Sequence, residues 1–174
     1  MKQALIRYLG AGARGVRFAF PSSNGRPPGF PEAVSWLAGL LNLSTGKAIP
    51  RPRVKDAGVD VVVWRPFKDS RTGFLIILCQ CTVEFNWPPK AKDIVIGNWC
   101  GLIDFGLHPL TVLAIPFAVP RTFEKWDELR RTVNIVLDRM RLCELIEFEH
   151  LENLEEIKKW ALAERKLLSG ISVD

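Results

Sequence analysis

Two polar side chains stand where apolar runs leave little room for them. Asp60 opens the run Asp60-Val-Val-Val-Trp64, and Gln80 interrupts Phe74-Leu-Ile-Ile-Leu-Cys-Gln80-Cys-Thr82. A carboxylate taken out of water is costly unless it is paired or binds a cation, so Asp60 needs a partner. Both runs read as strands, and the polar stretch Lys68-Asp-Ser-Arg-Thr72 between them reads as a turn. A hairpin symmetric about Ser70 sets Trp64 opposite Ile76, Val62 opposite Leu78 and Asp60 opposite Gln80. Opposed antiparallel residues carry Cβ atoms about 5 Å apart on one face, and a slip of one residue would send one of them to the other face. In this register a carboxylate and an amide carbonyl converge at the open end of the hairpin. Such oxygens suit a hard divalent cation: magnesium accepts one or two carboxylates and keeps several waters. Glutamine is a legitimate but weaker ligand, a neutral carbonyl in place of a charge. An ion held there can activate water and stabilise charge on a phosphodiester. Glu84 extends the same face and would oppose Asp56, as a second acidic ligand or a solvated side chain. The plainer reading of Asp60 and Gln80 is a hydrogen-bonded pair closing the hairpin.

The elements that must position these residues follow from hydrophobic spacing. Phe30, Ala33, Val34, Leu37, Leu40 and Leu41 recur at helical intervals. Strands are expected at residues 59–67 and 73–83. Pro88-Pro89 opens a second helix with Ala91, Ile94, Val95, Trp99 and Leu102 on its apolar face. Residues 111–117 are apolar on both faces and read as a central strand. A helix after Pro120 carries Phe123, Trp126, Leu129 and Val133, residues 135–137 form a short strand, and residues 147–168 form an amphipathic helix with Leu151, Leu154, Ile157, Trp160 and Ala161 on one side. The first 29 residues, rich in Gly, Arg, Ser and Pro, read as loop. This order predicts an α/β chain with a mixed central sheet and helices on both faces.

Taken together, Asp56-Ala-Gly-Val-Asp60-Val-Val-Val-Trp64 and Phe74-Leu-Ile-Ile-Leu-Cys-Gln80-Cys-Thr82 resemble the core of the PD-(D/E)XK (restriction-endonuclease-like) nucleases. The likeness spans about residues 30–117 and implies a single nuclease-like domain, with its core at about residues 30–140 and the C-terminal helix beside it. It implies that Asp60 is the metal-binding aspartate, that Gln80 takes the position usually held by glutamate, and that magnesium or manganese is the cofactor. One residue departs from the pattern: Thr82 stands where a lysine is expected. In some members of the superfamily that lysine has moved to the following helix, and Lys90 is then the third catalytic residue, with Lys92 the alternative. Lys90 would orient the attacking water or neutralise phosphate charge; its plainer reading is a surface lysine. Glu32 lies on the first helix, where nucleases of this class often place an extra acid, but it falls opposite the apolar stripe. The implied partner is nucleic acid, with DNA the expected substrate, and Arg51, Arg53, Lys55 and Lys92 are contact candidates, beside Arg14, Arg17 and Arg26. The implied setting is restriction or anti-phage defence, as a homodimer or beside other defence subunits.

Composition permits this without demanding it. The chain has 174 residues, 48% hydrophobic and 25% charged, and a formal net charge of +5. That is an ordinary globular balance, mildly basic, compatible with a polyanionic partner. No apolar run reaches the roughly 18 residues of a membrane span and no signal peptide is visible, so a cytoplasmic location is expected. The abrupt, loop-like start is also what one domain of a longer protein would show. Cys79, Cys81, Cys100 and Cys143 lack zinc-site spacing, and Cys79-x-Cys81 reads as buried thiols of a reducing compartment. His108, before a proline and a buried strand, reads as structural. Two other functions stay open: a catalytically degenerate nuclease fold that binds nucleic acid or protein, and a plain α/β interaction domain.

Overall fold

Apolar side chains that alternate along a strand cover two faces of a sheet, so a strand buried on both sides must be covered by helices twice. The computed structural model describes residues 1–23, 25–146 and 154–169. Among these, five strands lie side by side in chain order: Arg14–Arg17 (β1), Val61–Trp64 (β2), Ile76–Cys81 (β3), Leu110–Ala114 (β4) and Ile135–Leu137 (β5). β1, β2 and β3 run antiparallel to their neighbours, whereas β3, β4 and β5 are mutually parallel. The helices are Lys2–Leu9 (α1), Phe30–Leu41 (α2), Ile96–Leu102 (α3), Trp126–Thr132 (α4), Arg139–Leu145 (α5) and Leu154–Ser169 (α6), with a 3-10 turn at Pro88–Lys92. The chain is therefore α/β with a mixed sheet. None of the described helices is long and apolar enough to cross a membrane.

The hairpin register is the one expected from a turn at Ser70. Trp64 pairs with Ile76, Val62 with Leu78 and Val61 with Cys79, and Ser70 takes the left-handed backbone at φ 59°. One face of the hairpin (Val62, Trp64, Ile76, Leu78) packs against Val34 and Leu37 of α2 and Trp99 of α3. The other (Val61, Val63, Ile77, Cys79) packs against Leu5 and Leu9 of α1, with Leu142 and Leu145 of α5 at its margin. A third cluster joins Leu113 and Val136 to Leu129 and Trp87.

Several expectations are corrected. The strands are shorter than the apolar runs: 59–67 contracts to Val61–Trp64, 73–83 to Ile76–Cys81, and 111–117 shifts to Leu110–Ala114, ending before Pro116. The helix expected after Pro88 is two pieces, because Asp93 to Val95 leaves the helix and Val95 is extended (φ −89°, ψ 97°) and 51% exposed. Phe123 precedes α4 instead of riding on it, and Leu40 is exposed while Ala38 is buried on α2. The supposed N-terminal loop holds α1 and β1. β1 pairs Arg17 with Val61 and Arg14 with Trp64; a Cβ on Gly15 would lie 3.0 Å from the Val63 side chain and 3.3 Å from Ile6 of the covering helix, so those side chains would have to give by a few tenths of an ångström. α5 was also unforeseen. Its N-cap, Asp138, accepts from the Arg141 backbone at 3.0 Å. Of the tail, Leu151 and Glu152 lie outside the described residues, and Ile157 and Trp160 are largely exposed.

Trp99 is the keystone of the face that backs the hairpin. It is fully buried, meets Phe18 and Phe30 edge-on at 5.5 and 6.1 Å, and donates Nε1 to the Ala57 carbonyl at 3.2 Å. Trp99→Ala removes this packing and one hydrogen bond, with an expected loss of about 3–5 kcal/mol in urea unfolding. A loss below about 1 kcal/mol would mean that the face does not depend on the indole.

Candidate active site

Asp60 is fixed before its side chain is considered. Its N–H donates to the Cys79 carbonyl at 2.8 Å, and its carbonyl accepts from Phe18 and Ala19 at 2.7 and 3.0 Å. The entry to β2 is a tight turn through Ala57 (φ 49°) and Gly58 (φ 78°). Asp56 organises it, accepting from the Gly58 amide and the Phe20 amide, each at 3.2 Å. A Cβ on Gly58 would come within 2.5 Å of the Asp93 carbonyl oxygen, so glycine brings the segment after the 3-10 turn against the turn that launches Asp60.

The two polar side chains meet on one residue. Asp60 Oδ2 accepts the Cys81 N–H at 2.7 Å, and Gln80 Nε2 donates to the Cys81 carbonyl at 3.2 Å. Asp60 Oδ1 and Gln80 Oε1 have no protein partner among the described residues. Nor does Asp60 form an ion pair among them. Arg17 acts on it from a distance; its guanidinium is held by the Ala19 and Pro21 carbonyls and the Ser23 hydroxyl at 3.2, 2.7 and 3.0 Å. Asp60 opens on a cleft of about 400 Å³ bordered by Met1, Lys2, Arg17, Ala19, Val61 and Cys81. Burial pushes its carboxyl above the ordinary 3.8. The Cys81 amide and Arg17 pull it back, while Asp56 and Asp93 add to the rise.

The other residues expected at the site are distributed differently. Lys90 is bound by Glu84 at 3.0 Å and Asp93 at 3.5 Å; the Glu84 hydrogen bond, with Asp93 behind it, raises its pKa. Glu84 is exposed, as a solvated side chain would be, and pairs with Lys90. Thr82 is buried and accepts the Glu84 amide on its hydroxyl at 3.1 Å. Lys92 borders a separate cleft with Asn86, Phe123 and Lys125. Glu32 folds its carboxylate back over Gly29 at the start of α2, where a helix N-terminus favours negative charge. Arg51 and Arg53 are exposed, and Lys55 places Nζ 5.6 Å from the Phe20 ring. His108 is exposed as well, in a groove with Phe67 and Phe105 at the other end of β3.

Sequence reasoning missed Asp93, although it carried a signal, standing three residues beyond Lys90 on one helical turn. Arg26, expected among the loop cations that could contact phosphates, is instead buried: its guanidinium donates to the Pro27 and Lys55 carbonyls at 2.8 and 2.6 Å, sits 4.7 Å from the Phe18 ring, and leaves Nε without a partner. It ties the loop after β1 to the segment before Asp56.

Among the described residues, no three His, Cys, Asp or Glu side chains gather closely enough to hold a metal by themselves. Asp60 and Gln80 could offer one carboxylate and one amide oxygen, a set that magnesium tolerates when water fills the remaining positions.

The raised Asp60 pKa has a definite sign. The folded chain binds this proton more tightly than the unfolded chain, so the contribution to stability is fully present below pH 3.8 and is lost as pH climbs through the raised folded value. Asp60→Asn keeps an acceptor for Cys81 but cannot ionise. In thermal melts across pH it is expected to exceed the parent in stability at neutral pH and to converge with it below pH 3.8. A variant less stable than the parent at neutral pH would show that the carboxylate is a structural asset.

Compared with models of known protein families, with curated proteins and with solved structures, the chain matches none.

Proposed function

We propose that the chain is a magnesium-dependent nuclease with a restriction-endonuclease-like core, hydrolysing phosphodiester bonds of nucleic acid, with DNA the first substrate to try. The observation that carries this is the pair of unpartnered oxygens, Asp60 Oδ1 and Gln80 Oε1, whose companion atoms are both anchored on the Cys81 backbone. The chain order also supports it: α2, the β2–β3 hairpin, a helical crossover and then β4 parallel to β3. Asp60 and Gln80 would hold the ion, which would supply Lewis acidity toward a phosphate oxygen. Asp60 contributes the charge, and the Cys81 N–H keeps its carboxylate from rotating away. Lys90 would orient the attacking water or neutralise phosphate charge, in competition with Glu84 and Asp93 for its ammonium.

That last contact favours a second reading, a degenerate nuclease fold that binds nucleic acid without cutting it. A fold that lost the lysine and exchanged its glutamate for Gln80 would retain the cleft and the cations bordering it, Lys2 and Arg17.

Incubating plasmid with the protein and magnesium separates the two. Cleavage should fall roughly 10²-fold or more in Asp60→Ala; equal cleavage by both proteins would defeat the nuclease assignment, and no cleavage with retained binding would favour the degenerate fold. Gln80→Glu should tighten magnesium binding, seen as a larger magnesium-induced rise in melting temperature than the parent shows. An unchanged rise would remove Gln80 from the ligand set.

A further inference from the structure

Cys79 and Cys81 were expected to be buried core thiols; Cys79 is buried, whereas Cys81 is half-buried. Residues two apart on a strand point to one face, and here their sulfurs are 3.9 Å apart. That is far beyond the roughly 2.05 Å of a disulfide bond. It matches the roughly 3.8 Å that a tetrahedral ion imposes on two sulfurs at metal–sulfur distances of about 2.3 Å. The strand therefore presents the bite of a chelate without rearrangement of its backbone. Cys79 is buried, which fixes one sulfur against Leu5, Val61 and Val112. Cys81 is half-buried and borders the cleft of about 400 Å³ shared with Arg17 and Asp60, which supplies an entry path. Thiolate ligands select soft and borderline ions and are poor ligands for magnesium.

We propose that Cys79 and Cys81 form a two-sulfur chelate for a thiophilic divalent cation of the zinc or cadmium class. Each thiol gives its proton to solvent, and the ion exchanges two bound waters for two thiolate sulfurs; nothing is oxidised or reduced. Positions facing the cleft are completed by water. The site stands independently of the nuclease reading, since it uses the side chain of Cys81 and not the backbone groups that Asp60 and Gln80 engage.

The test is a cadmium titration of the reduced full chain, followed by ultraviolet charge transfer from thiolate to cadmium. The band should saturate near one ion per chain and be suppressed by competing zinc. It should vanish in Cys81→Ser, whose thermal melt should stay close to the parent's because the side chain is only half-buried. The double variant Cys100→Ser/Cys143→Ser, whose remaining thiols are Cys79 and Cys81, should keep the band in full. Absence of the band in the parent, its survival in Cys81→Ser, or its loss in the double variant would each overturn the proposal.

Discussion

The site depends on a carboxylate held partly out of water with no ion-pair partner among the described residues. Among these, the Asp60 side chain is tied only to the Cys81 N–H, at 2.7 Å, and burial is the largest cause of its raised pKa. One backbone hydrogen bond does not offset the desolvation of a charge. The neighbouring acids Asp56 and Asp93 make matters worse, and Arg17 spends its guanidinium on loop carbonyls instead of forming an ion pair. A fold selected for stability alone would gain by replacing Asp60 with a neutral acceptor. Local destabilisation of this kind is what binding sites impose on their scaffolds.

The rest of the fold can be read as the apparatus that keeps Asp60 in this position. Its backbone is grasped on one side by β3 and on the other by Phe18 and Ala19. The Asp56–Gly58 turn sets its approach. Trp99 anchors that turn through Ala57 while filling the core beneath it. Arg26 joins the two loops through the Lys55 carbonyl. These contacts link a strand, two loops and α3 around five residues, so packing behind the hairpin and side-chain geometry in front of it cannot be altered separately.

How much of this the sequence disclosed depended on how local the cause was. The β2–β3 register was legible because apolar alternation on both sides of a five-residue polar turn leaves few registers that bury both faces. β1 was illegible: Arg-Gly-Val-Arg has neither an apolar face nor strand propensity, and it is a strand because β2 offers an open edge and Gly15 lets α1 pass over it. The helix predicted across residues 88–102 was right in its apolar stripe and wrong in its continuity, since Gly58 packs where Asp93 leaves the helix. Lys90 was assigned to Asp60 by position, but charge partners are set by tertiary approach, which brought Glu84 and Asp93 first. Cys81 was read as core because its neighbours in sequence are apolar; the strand ends there, and its side chain meets a cleft.

Cys81 also shows how one residue can serve two chemistries. Its peptide N–H and carbonyl lie in the plane of the sheet, where Asp60 and Gln80 reach them; its side chain stands out of that plane beside Cys79. The oxygen-bearing side chains therefore engage the backbone at the end of the central strand, while the two sulfurs lie over one face of it. If the proposed carboxylate–amide site takes magnesium, affinity order alone would let zinc invade it, and the proposed thiol pair would offer zinc the better ligands. The alternation of the β-strand, period two in side chains and continuous in backbone, is sufficient to keep the two donor sets distinct.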